Sequence, residues 1–306
     1  MTKKVMTIWL GGCSGCHISL LDLHERLLSV FSDDVELVYS PPLLDFKEIP
    51  EHVDVALIEG GIRNEDNVEE AEEVREAADV VIAVGTCACF GGIPGLGNLF
   101  ENEELLERAY VSTPTTVNEE GEPPSEDLPE LTWRVHPLSD VIDVDIMVPG
   151  CPPSPDDILE AVRCALEGEE FELPRKSVCD ECPREKKGKV IRSIKRPFEG
   201  EPDPERCLLE QGYPCLGPAT RAGCGGRCPE VGVPCAGCRG PAEGAPDQGA
   251  GMISALASAY RVEEEEEPGF DPVELAESVP DPVGWFYRFT LASALIPFRA
   301  DRGEEP

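Results

Sequence analysis

Residues 80–95 read VVIAVGTCACFGGIPG, and the way this stretch ends decides the fold. A run of apolar, mostly β-branched residues is followed by a glycine, two cysteines one residue apart, and a glycine pair. Such a near-continuous apolar run is typical of a strand that is buried on both faces of a parallel sheet. Cys87 and Cys89 therefore stand at the carboxyl end of a buried strand, where a ligand site is expected.

Four further apolar runs are of the same kind, and helical patterns lie between them. The runs are VMTIWL (5–10), VELVYS (35–40), VDVALIE (53–59) and VDIMV (144–148). Helices are predicted over 17–31, 66–78 and 154–168, the last with Ser154 as its N-cap and Gly168 as its terminator. This alternation predicts a doubly wound α/β domain over residues 1–168, with a flavodoxin-like strand order.

The composition changes after Gly168. Residues 169–248 hold many of the Pro, Gly and Cys residues and few apolar runs, so they cannot build an ordinary core without covalent or metal staples. Residues 249–262 (GAGMISALASAYRV) read as a helix rich in small residues. We predict a loop-rich metal-binding domain over 169–262 and an acidic C-terminal extension over 263–306.

The charge of the chain limits its partners. Lys and Arg number 26 against 61 Asp and Glu, which gives a net charge of −35. So acidic a surface repels nucleic acid and anionic lipid, and neither is an expected partner. There is no signal-peptide pattern, and the longest apolar candidate, 283–298, is short for a membrane span and contains Arg288. The sequence predicts a soluble, cytoplasmic protein.

Fourteen cysteines in such a chain indicate bound metal. Disulfides are rare in a reducing cytosol, and a redox-active dithiol would account for only one Cys-x-x-Cys. Five thiols follow predicted strands, and four of them converging at one sheet edge would make a 4Fe–4S site. The five are Cys13, Cys16, Cys87, Cys89 and Cys151. Cys87 lies nearer its strand end than Cys89, so placement slightly favours Cys87.

Eight more cysteines follow in the second half of the chain. They are Cys179, Cys182, Cys207, Cys215, Cys224, Cys228, Cys235 and Cys238. Zinc is the main alternative, since Cys-x-x-Cys pairs also make zinc ribbons. Cys-Pro junctions at 182–183 and 228–229 favour ferredoxin-type cluster loops instead. Cys164, within a predicted helix and without a thiol neighbour, is interpreted as a packing residue.

Several motifs resemble the small subunit of nickel–iron hydrogenases, above all the cytoplasmic methanogen type that reduces methyl viologen and not the deazaflavin coenzyme. The motifs are WLGGCSGCHISLLDLHE, GTCACFGGIPG, VPGCPPSPDDILEAV, CLGPATRAGCGGRCP, PCAGCRGP, DQGAGMISALASAYRV and DPVGWFYRFTLASALIP. They occur in the family's order and cover nearly the whole chain. The resemblance implies an electron-transferring subunit with no catalytic residue of its own, whose nickel–iron centre lies in a partner large subunit.

The same resemblance implies three clusters with four thiolates each. The proximal cluster would use Cys13, Cys16, Cys87 and Cys151. The distal cluster would use Cys179, Cys182, Cys207 and Cys215, and the medial cluster Cys224, Cys228, Cys235 and Cys238. Because membrane-linked uptake enzymes have a His where Cys179 stands and only three medial cysteines, all three clusters here are expected to be 4Fe–4S. The family has a small or apolar residue where Cys89 stands, so Cys89 is interpreted as a neighbour of the proximal cluster.

The resemblance also implies the route of the electrons. They would pass from H2 oxidation through the three clusters to a further iron–sulfur subunit, and on to heterodisulfide reductase with ferredoxin reduced in parallel. The small subunit of a deazaflavin-coenzyme-reducing hydrogenase is the nearest alternative. A cluster subunit of a quinone oxidoreductase of the complex I type would lack the eight downstream cysteines, and a zinc scaffold would contain no iron. Glu59 and His17 are further candidates near the proximal site, with packing or surface roles as the alternatives.

Overall fold

The computed structural model describes residues 2–30, 34–46, 48–188, 191, 193–259 and 277–295. The chain divides into two compact units. Unit 1 comprises the described residues of Met1–Phe171 and Leu291–Pro306, and unit 2 those of Glu172–Thr290. The predicted boundaries at 168 and 262 stay a prediction, and most of the acidic segment 263–282 lies outside the described residues.

Unit 1 is built on a parallel sheet of five strands in the order β2-β1-β3-β5-β7. Its strands and those of a second, smaller sheet are β1 (Lys3–Trp9), β2 (Val35–Tyr39), β3 (Val53–Glu59), β4 (Ile62–Asn64), β5 (Ala78–Val84), β6 (Leu131–His136) and β7 (Ile146–Val148). Counting only the parallel strands, this is the flavodoxin-like order 2-1-3-4-5. The predicted α/β fold is confirmed.

Helices cover both faces of the sheet. Along β3, Ala56 and Ile58 face one core, and Val55 and Leu57 face the other, as the period of a strand requires. The first core is completed by α3 (Glu65–Ala77) and α4 (Thr86–Phe90), and the second by α1 (Gly15–Leu21) and α6 (Pro155–Glu167). Apolar residues on both faces explain why the strand sequences do not alternate.

The single helix predicted over 17–31 is wrong in one respect. The structure has two helices here, α1 and α2 (Glu25–Val30), because His24 adopts a left-handed conformation with φ 52°. A residue in that conformation cannot continue a right-handed helix. The helix predicted at 154–168 is confirmed: Ser154 Oγ accepts the Asp157 amide at 3.2 Å, and Gly168 ends the helix with φ 69°.

Two further features of unit 1 were not predicted. Strand β7 begins at Ile146 and not at Val144, because the Asp145 carboxylate accepts the Val81 amide at 2.7 Å and so replaces a strand carbonyl. Strands β4 and β6 pair antiparallel outside the main sheet. The buried Asn98 side chain holds β6 by bonding both the amide and the carbonyl of Val135. A short helix, α5 (Asn102–Glu107), completes this region.

Unit 2 has few regular elements. Within its described residues, the α-helices are α7 (Arg227–Glu230), α8 (Gln248–Ala259) and α9 (Pro282–Phe286). Helix α8 corresponds to the helix predicted at 249–262, of which residues 260–262 lie outside the described residues. Unit 2 has far fewer fully buried apolar side chains than unit 1 among the described residues. Those of unit 2 include Val178, Ile191, Leu216 and Met252. Across the parts of the chain that the structure describes, no helix is long and apolar enough to cross a membrane.

Candidate metal centres

The first thiol set lies at the carboxyl edge of the parallel sheet. Cys13 and Cys16 follow β1, Cys87 lies in the first turn of α4 just after β5, and Cys151 follows β7. The loops after β5 and β7 are tied directly to each other. The Thr86 amide donates to the Gly150 carbonyl at 2.8 Å, and the Gly150 amide donates to Thr86 Oγ1 at 3.0 Å. The fold thus brings three cysteine loops to one edge.

The electrostatics show that these four thiols are neighbours. Burial raises the pKa of Cys16, and negative charge on Glu59 and on the other three thiols raises it further. Burial likewise raises the pKa of Cys87 to about 12, with Cys151 and Cys13 adding to the effect. The raised pKa values of Cys16 and Cys87 favour the protonated thiols, and a cationic centre would favour the thiolates instead.

Two glycines let the backbone approach these sulfurs. Gly85 has φ 88°, and a Cβ there would collide with Cys16 Sγ. Gly92 has φ 58°, and a Cβ there would lie 2.5 Å from Cys87 Sγ. Both the conformation and the space require glycine at these positions. The Ile93 amide, next in the chain, donates a hydrogen bond to the Cys87 sulfur and so works against the rise in its pKa.

Cys89 lies in a different environment from Cys87. Its side chain is 2% exposed and belongs to the core on the α3 face of the sheet, whereas Cys16 packs beside the opposite core. Cys89 Sγ donates to the Ala83 carbonyl at 3.4 Å, and burial raises the pKa of its thiol. Cys164 is also buried, within α6. Both thiols occupy the positions of small core residues.

Glu59 is the part of this site that sequence reasoning only touched upon. It ends β3 with 3% exposure and accepts the amides of Cys16 at 3.3 Å and His17 at 2.9 Å. His17 Nδ1 lies 2.5 Å from the same carboxylate, and its Nε2 lies 3.0 Å from Thr7 Oγ1. Thr7 in turn donates to Ser40 at 2.7 Å. The sequence signal for this buried series of hydrogen bonds was the presence of polar residues within the otherwise apolar strands β1 and β3.

The second thiol set surrounds one cavity in unit 2. The cavity has a volume of about 510 Å³, and its lining includes Cys179, Cys182, Cys207 and Cys215. Four converging thiols form the donor set of a 4Fe–4S cluster. Arg184 and Lys186 also line the cavity, so positive side chains lie next to the thiols. The four thiols in the lining fit the donor set of a cluster.

The pKa directions in this set repeat the pattern of the first. Burial raises the pKa of Cys179 to about 12, and charge on Cys215, Cys207 and Cys182 contributes to the rise. Burial also raises the pKa of Cys215 to about 11, and two backbone amides oppose this rise by donating to its sulfur. One is the Gly217 amide, and the other is the Cys235 amide, 3.3 Å from Cys215 Sγ.

The third set is brought together in part. Burial raises the pKa of Cys235, and charge on Cys215 and Cys238 raises it further, so these thiols are close. Cys224 lies in the glycine-rich loop 223–226, and the exposed Cys228 lies in α7. Convergence of Cys224 and Cys228 with Cys235 and Cys238 stays a prediction.

Glu181, between two cysteines of the second set, holds the loop of the third. Its carboxylate accepts the amides of Gly223 and Gly225, each at 2.9 Å. Gly226 lies against the backbone at Cys182, where a Cβ would be 3.1 Å from the Cys182 Cα. The loop that carries Cys224 is therefore packed on the loop that carries Cys179 and Cys182.

Among the described residues, no group of three or more His, Cys, Asp or Glu side chains is placed to hold a single metal ion.

Comparison with known proteins gives a consistent result for both units. Residues 13–165 match the family described as NADH ubiquinone oxidoreductase, 20 kDa subunit. The chain is 53% identical over 304 residues to the G subunit of the F420-non-reducing hydrogenase of Methanothermobacter thermautotrophicus, covering 98% of this chain and 97% of that protein. It is 41% identical over 173 residues to the delta subunit of the NAD-reducing hydrogenase HoxS of Cupriavidus necator, covering 56% and 82% respectively.

A solved structure shares the fold. It is a chain of an NAD+-reducing [NiFe]-hydrogenase in the H2-reduced state, with a TM-score of 0.53 and 36% sequence identity. The match covers 57% of this chain and 96% of the other. The first relative therefore spans both units, whereas the matched family covers half of the chain and this structure covers 57% of it.

Proposed function

The chain belongs to the NADH ubiquinone oxidoreductase 20 kDa subunit family and, within it, to the G subunits of F420-non-reducing hydrogenases, and from this premise we propose that it is the electron-transferring small subunit of a nickel–iron hydrogenase. Dihydrogen is oxidised at a nickel–iron centre held by a partner large subunit. The chain itself supplies no catalytic residue. It supplies the thiols, amides and burial that hold electron carriers in place.

The observation that carries this proposal is the cavity of about 510 Å³ with four cysteines in its lining. With the sheet-edge set and the third set, the proposal assigns twelve cysteines to three groups of four. 4Fe–4S clusters held at these sets would supply one-electron redox chemistry, which would link H2 oxidation to a further iron–sulfur subunit and to heterodisulfide reductase, with ferredoxin reduced in parallel. The proximal set is Cys13, Cys16, Cys87 and Cys151; the distal set is Cys179, Cys182, Cys207 and Cys215; the medial set is Cys224, Cys228, Cys235 and Cys238.

The residues of this chain have three tasks in that function. The cysteines ligate, with Gly85 and Gly92 leaving room for the sulfurs. Backbone amides such as that of Ile93 donate to the sulfurs and favour the thiolate form. Glu59 fixes the Cys16 loop by accepting two of its amides. Each task positions a donor atom and leaves bond-breaking to the partner subunit.

The large subunit is proposed to bind over the loops 11–18, 87–97 and 150–154. These loops contain no Asp, Glu, Lys or Arg, although the chain carries a net charge of −35. They expose Ile18 and Ile93, at 56% and 48%, and the exposed thiols of Cys13 and Cys151. An uncharged surface with exposed apolar side chains on so acidic a protein is suited to burial against a partner.

Metal analysis of the anaerobically purified complex tests the proposal. We expect about twelve iron and about twelve acid-labile sulfide per chain, one cluster for each set of four cysteines. A Cys182→Ser variant should lose about four iron atoms, and the matched Cys164→Ser variant, which alters a thiol outside the three sets, should lose none. Iron near eight in the wild-type chain, or zinc in place of iron, would contradict the three-cluster assignment.

The alternative assignment to a deazaflavin-coenzyme-reducing hydrogenase is not favoured, because the relatives that span the whole chain are named as subunits of F420-non-reducing hydrogenases. The cytoplasmic location predicted from the sequence remains part of this proposal.

A further inference from the structure

Arg239 directly follows Cys238 of the third thiol set, and it is buried. Its exposure is 4%, and no other Lys or Arg among the residues that the structure describes is buried to this degree. Its Nε donates to the Ala222 carbonyl at 2.8 Å. Burial of a charged group costs free energy unless its surroundings offset the charge. A buried guanidinium at this position therefore calls for negative charge in the same site.

The guanidinium of Arg239 lies against the loop that carries Cys224. Gly223 has φ 109°, and a Cβ there would lie 2.6 Å from Arg239 Nη2 and 3.0 Å from its Cζ. Gly223 directly precedes Cys224, and neighbouring Cα atoms are about 3.8 Å apart. Arg239 thus begins next to one thiol of the third set, and its charged end lies next to the residue before another.

Other hydrogen bonds hold these two loops together without the guanidinium. The Arg221 amide donates to the Gly240 carbonyl at 3.1 Å. Gln248, which is 1% exposed, uses its side-chain amide to bond the Gly240 carbonyl and Thr220 Oγ1, each at 3.1 Å. The position of the loops therefore does not depend on Arg239 alone, and the property that it adds to the site is its charge.

A second arginine lies close to the first. Burial lowers the pKa of Arg221, and the positive charge of Arg239 lowers it further, whereas Glu243 acts in the opposite direction. The Arg221 Nη1 donates to the Pro174 carbonyl at 3.0 Å. Two positive groups are thus concentrated at this junction of loops, in a chain whose net charge is −35.

We propose that Arg239 is the fixed positive charge of the third thiol set, and that it offsets the negative charge of the cluster bound there and raises the reduction potential of that cluster. This inference rests on the proposed function. Four thiolates make such a site negative, and an added electron makes it more so. A cation therefore stabilises the reduced state more than the oxidised state. An arginine keeps its charge in proteins, and in a buried site that charge is less screened than in water.

The direction of electron flow follows from this effect. One electron leaves the sheet-edge cluster, which is oxidised, and reaches the third-set cluster, which is reduced, and no proton is transferred. A higher potential at the third set makes this step more favourable. Arg239 is thus a positioning residue for charge, since it acts on the electron carrier and takes no part in breaking the bond of dihydrogen.

The test is an EPR-monitored redox titration of the anaerobic complex. Arg239→Gln removes the charge and keeps an amide that can donate to the Ala222 carbonyl. One of the three midpoint potentials should then fall by at least about 59 mV, which is a tenfold change in the ratio of reduced to oxidised cluster. Arg239→Lys keeps the charge and loses the planar guanidinium, and it should return that potential towards the wild-type value. A role in hydrogen bonding alone would predict the same fall in both variants.

Arg288→Gln is the matched control in unit 2. Arg288 also donates from its Nε to a backbone carbonyl, that of Gly284 at 3.0 Å, but both residues belong to the α9 region. Its replacement should shift the potential of the third-set cluster much less than Arg239→Gln does. About twelve iron atoms per chain in each variant show that all three clusters are present.

The outcomes separate this inference from the proposed function. An unchanged potential in Arg239→Gln, or an equal fall in Arg239→Gln and Arg239→Lys, overturns the inference while twelve iron atoms keep the proposed function intact. If Arg239→Gln loses four iron atoms, Arg239→Lys decides: a retained cluster supports the need for positive charge, and a lost cluster overturns it. A wild-type complex that lacks the third cluster overturns both proposals.

Discussion

The thiols of the sheet-edge set in unit 1 and those of the loop-borne sets in unit 2 are positioned by different structural features. In unit 1, a sheet with two apolar cores brings three loops to one edge, and the cysteines follow from the position of the strand ends. In unit 2, hydrogen bonds between loops position the thiols. Glu181 accepts two glycine amides, and the buried Glu210 accepts the amides of Lys187 and Gly188. Unit 1 can fold around its own core, and unit 2 depends on what its loops bind.

This difference has a thermodynamic basis. Burial of apolar area contributes about 25 cal/mol per Å², so the two cores of unit 1 offset the entropy of ordering its chain. Loops with few apolar residues gain little from burial and need staples. If the proposed clusters bind there, metal binding to the thiolates of unit 2 would contribute to its free energy of folding.

Removing iron should affect the largest part of the molecule. After anaerobic chelation we expect β3 and β5 to keep their protection from hydrogen exchange, because their partners lie within the apolar sheet. Unit 2 amides such as those of Val178 and Leu216 should exchange at least about tenfold faster, which corresponds to a loss of about 1.4 kcal/mol of local stability. The measurement is exchange followed by mass spectrometry on the complex before and after chelation. Equal protection of the two units in the iron-free protein would contradict the view that unit 2 depends on bound metal more than unit 1 does.

Separate replacement of the two neighbouring thiols of unit 1 should affect a smaller part of the molecule, either one cluster or one position in the core. Cys87→Ala should remove the proximal cluster and lower the iron content by about four atoms per chain, because its thiol belongs to the sheet-edge set. Cys89→Ala should keep all the iron and lower the free energy of unfolding by about 1 kcal/mol, as the loss of one buried atom from a core does. Iron analysis and EPR of both anaerobic variants decide the matter. The reverse pattern would make Cys89 the ligand.

The change confined to the smallest part of the molecule concerns the surface over the first set. Ile93→Glu or Leu96→Asp should weaken binding of the large subunit by about 3 kcal/mol, because an unpaired charge would be buried on assembly. This corresponds to roughly a hundredfold in Kd, measured by size-exclusion chromatography at graded dilution together with hydrogen-dependent dye reduction. Val117→Glu is the matched control, since Val117 is 90% exposed and lies in unit 1 outside these loops. Normal assembly of both loop variants would place the docking surface elsewhere.

The sequence predicted the parallel sheet because its strands are apolar on both faces, a pattern visible without any long-range contact. It missed the break at His24, since a left-handed residue leaves the spacing of apolar residues unchanged. It missed the pairing of β4 with β6, which are short and far apart in the chain. The burial of Glu59 depends on partners contributed by α1, so the carboxylate alone could not show whether it faced solvent.

Unit 2 was less predictable for a related reason. Cysteine spacing grouped the thiols, and the cavity brings together four that the family resemblance had assigned to one cluster. The hydrogen bonds of Glu181, Thr220 and Gln248 join segments about 10 to 45 residues apart, and no periodic pattern in the sequence reveals them. Such contacts are specified by loop packing, which no local propensity encodes.

The hydrogen bond from the Cys235 amide to Cys215 Sγ joins two thiol sets through a single backbone group. The Leu216 amide donates in the opposite direction, to the Cys235 carbonyl at 2.9 Å, so two hydrogen bonds join these two segments. Metal binding at one set would order a segment that is hydrogen-bonded to the other set. The two binding events would therefore share the entropy cost of ordering these segments. We therefore expect the two sets of unit 2 to bind metal cooperatively. The sheet-edge set of unit 1 is expected to bind metal independently of them.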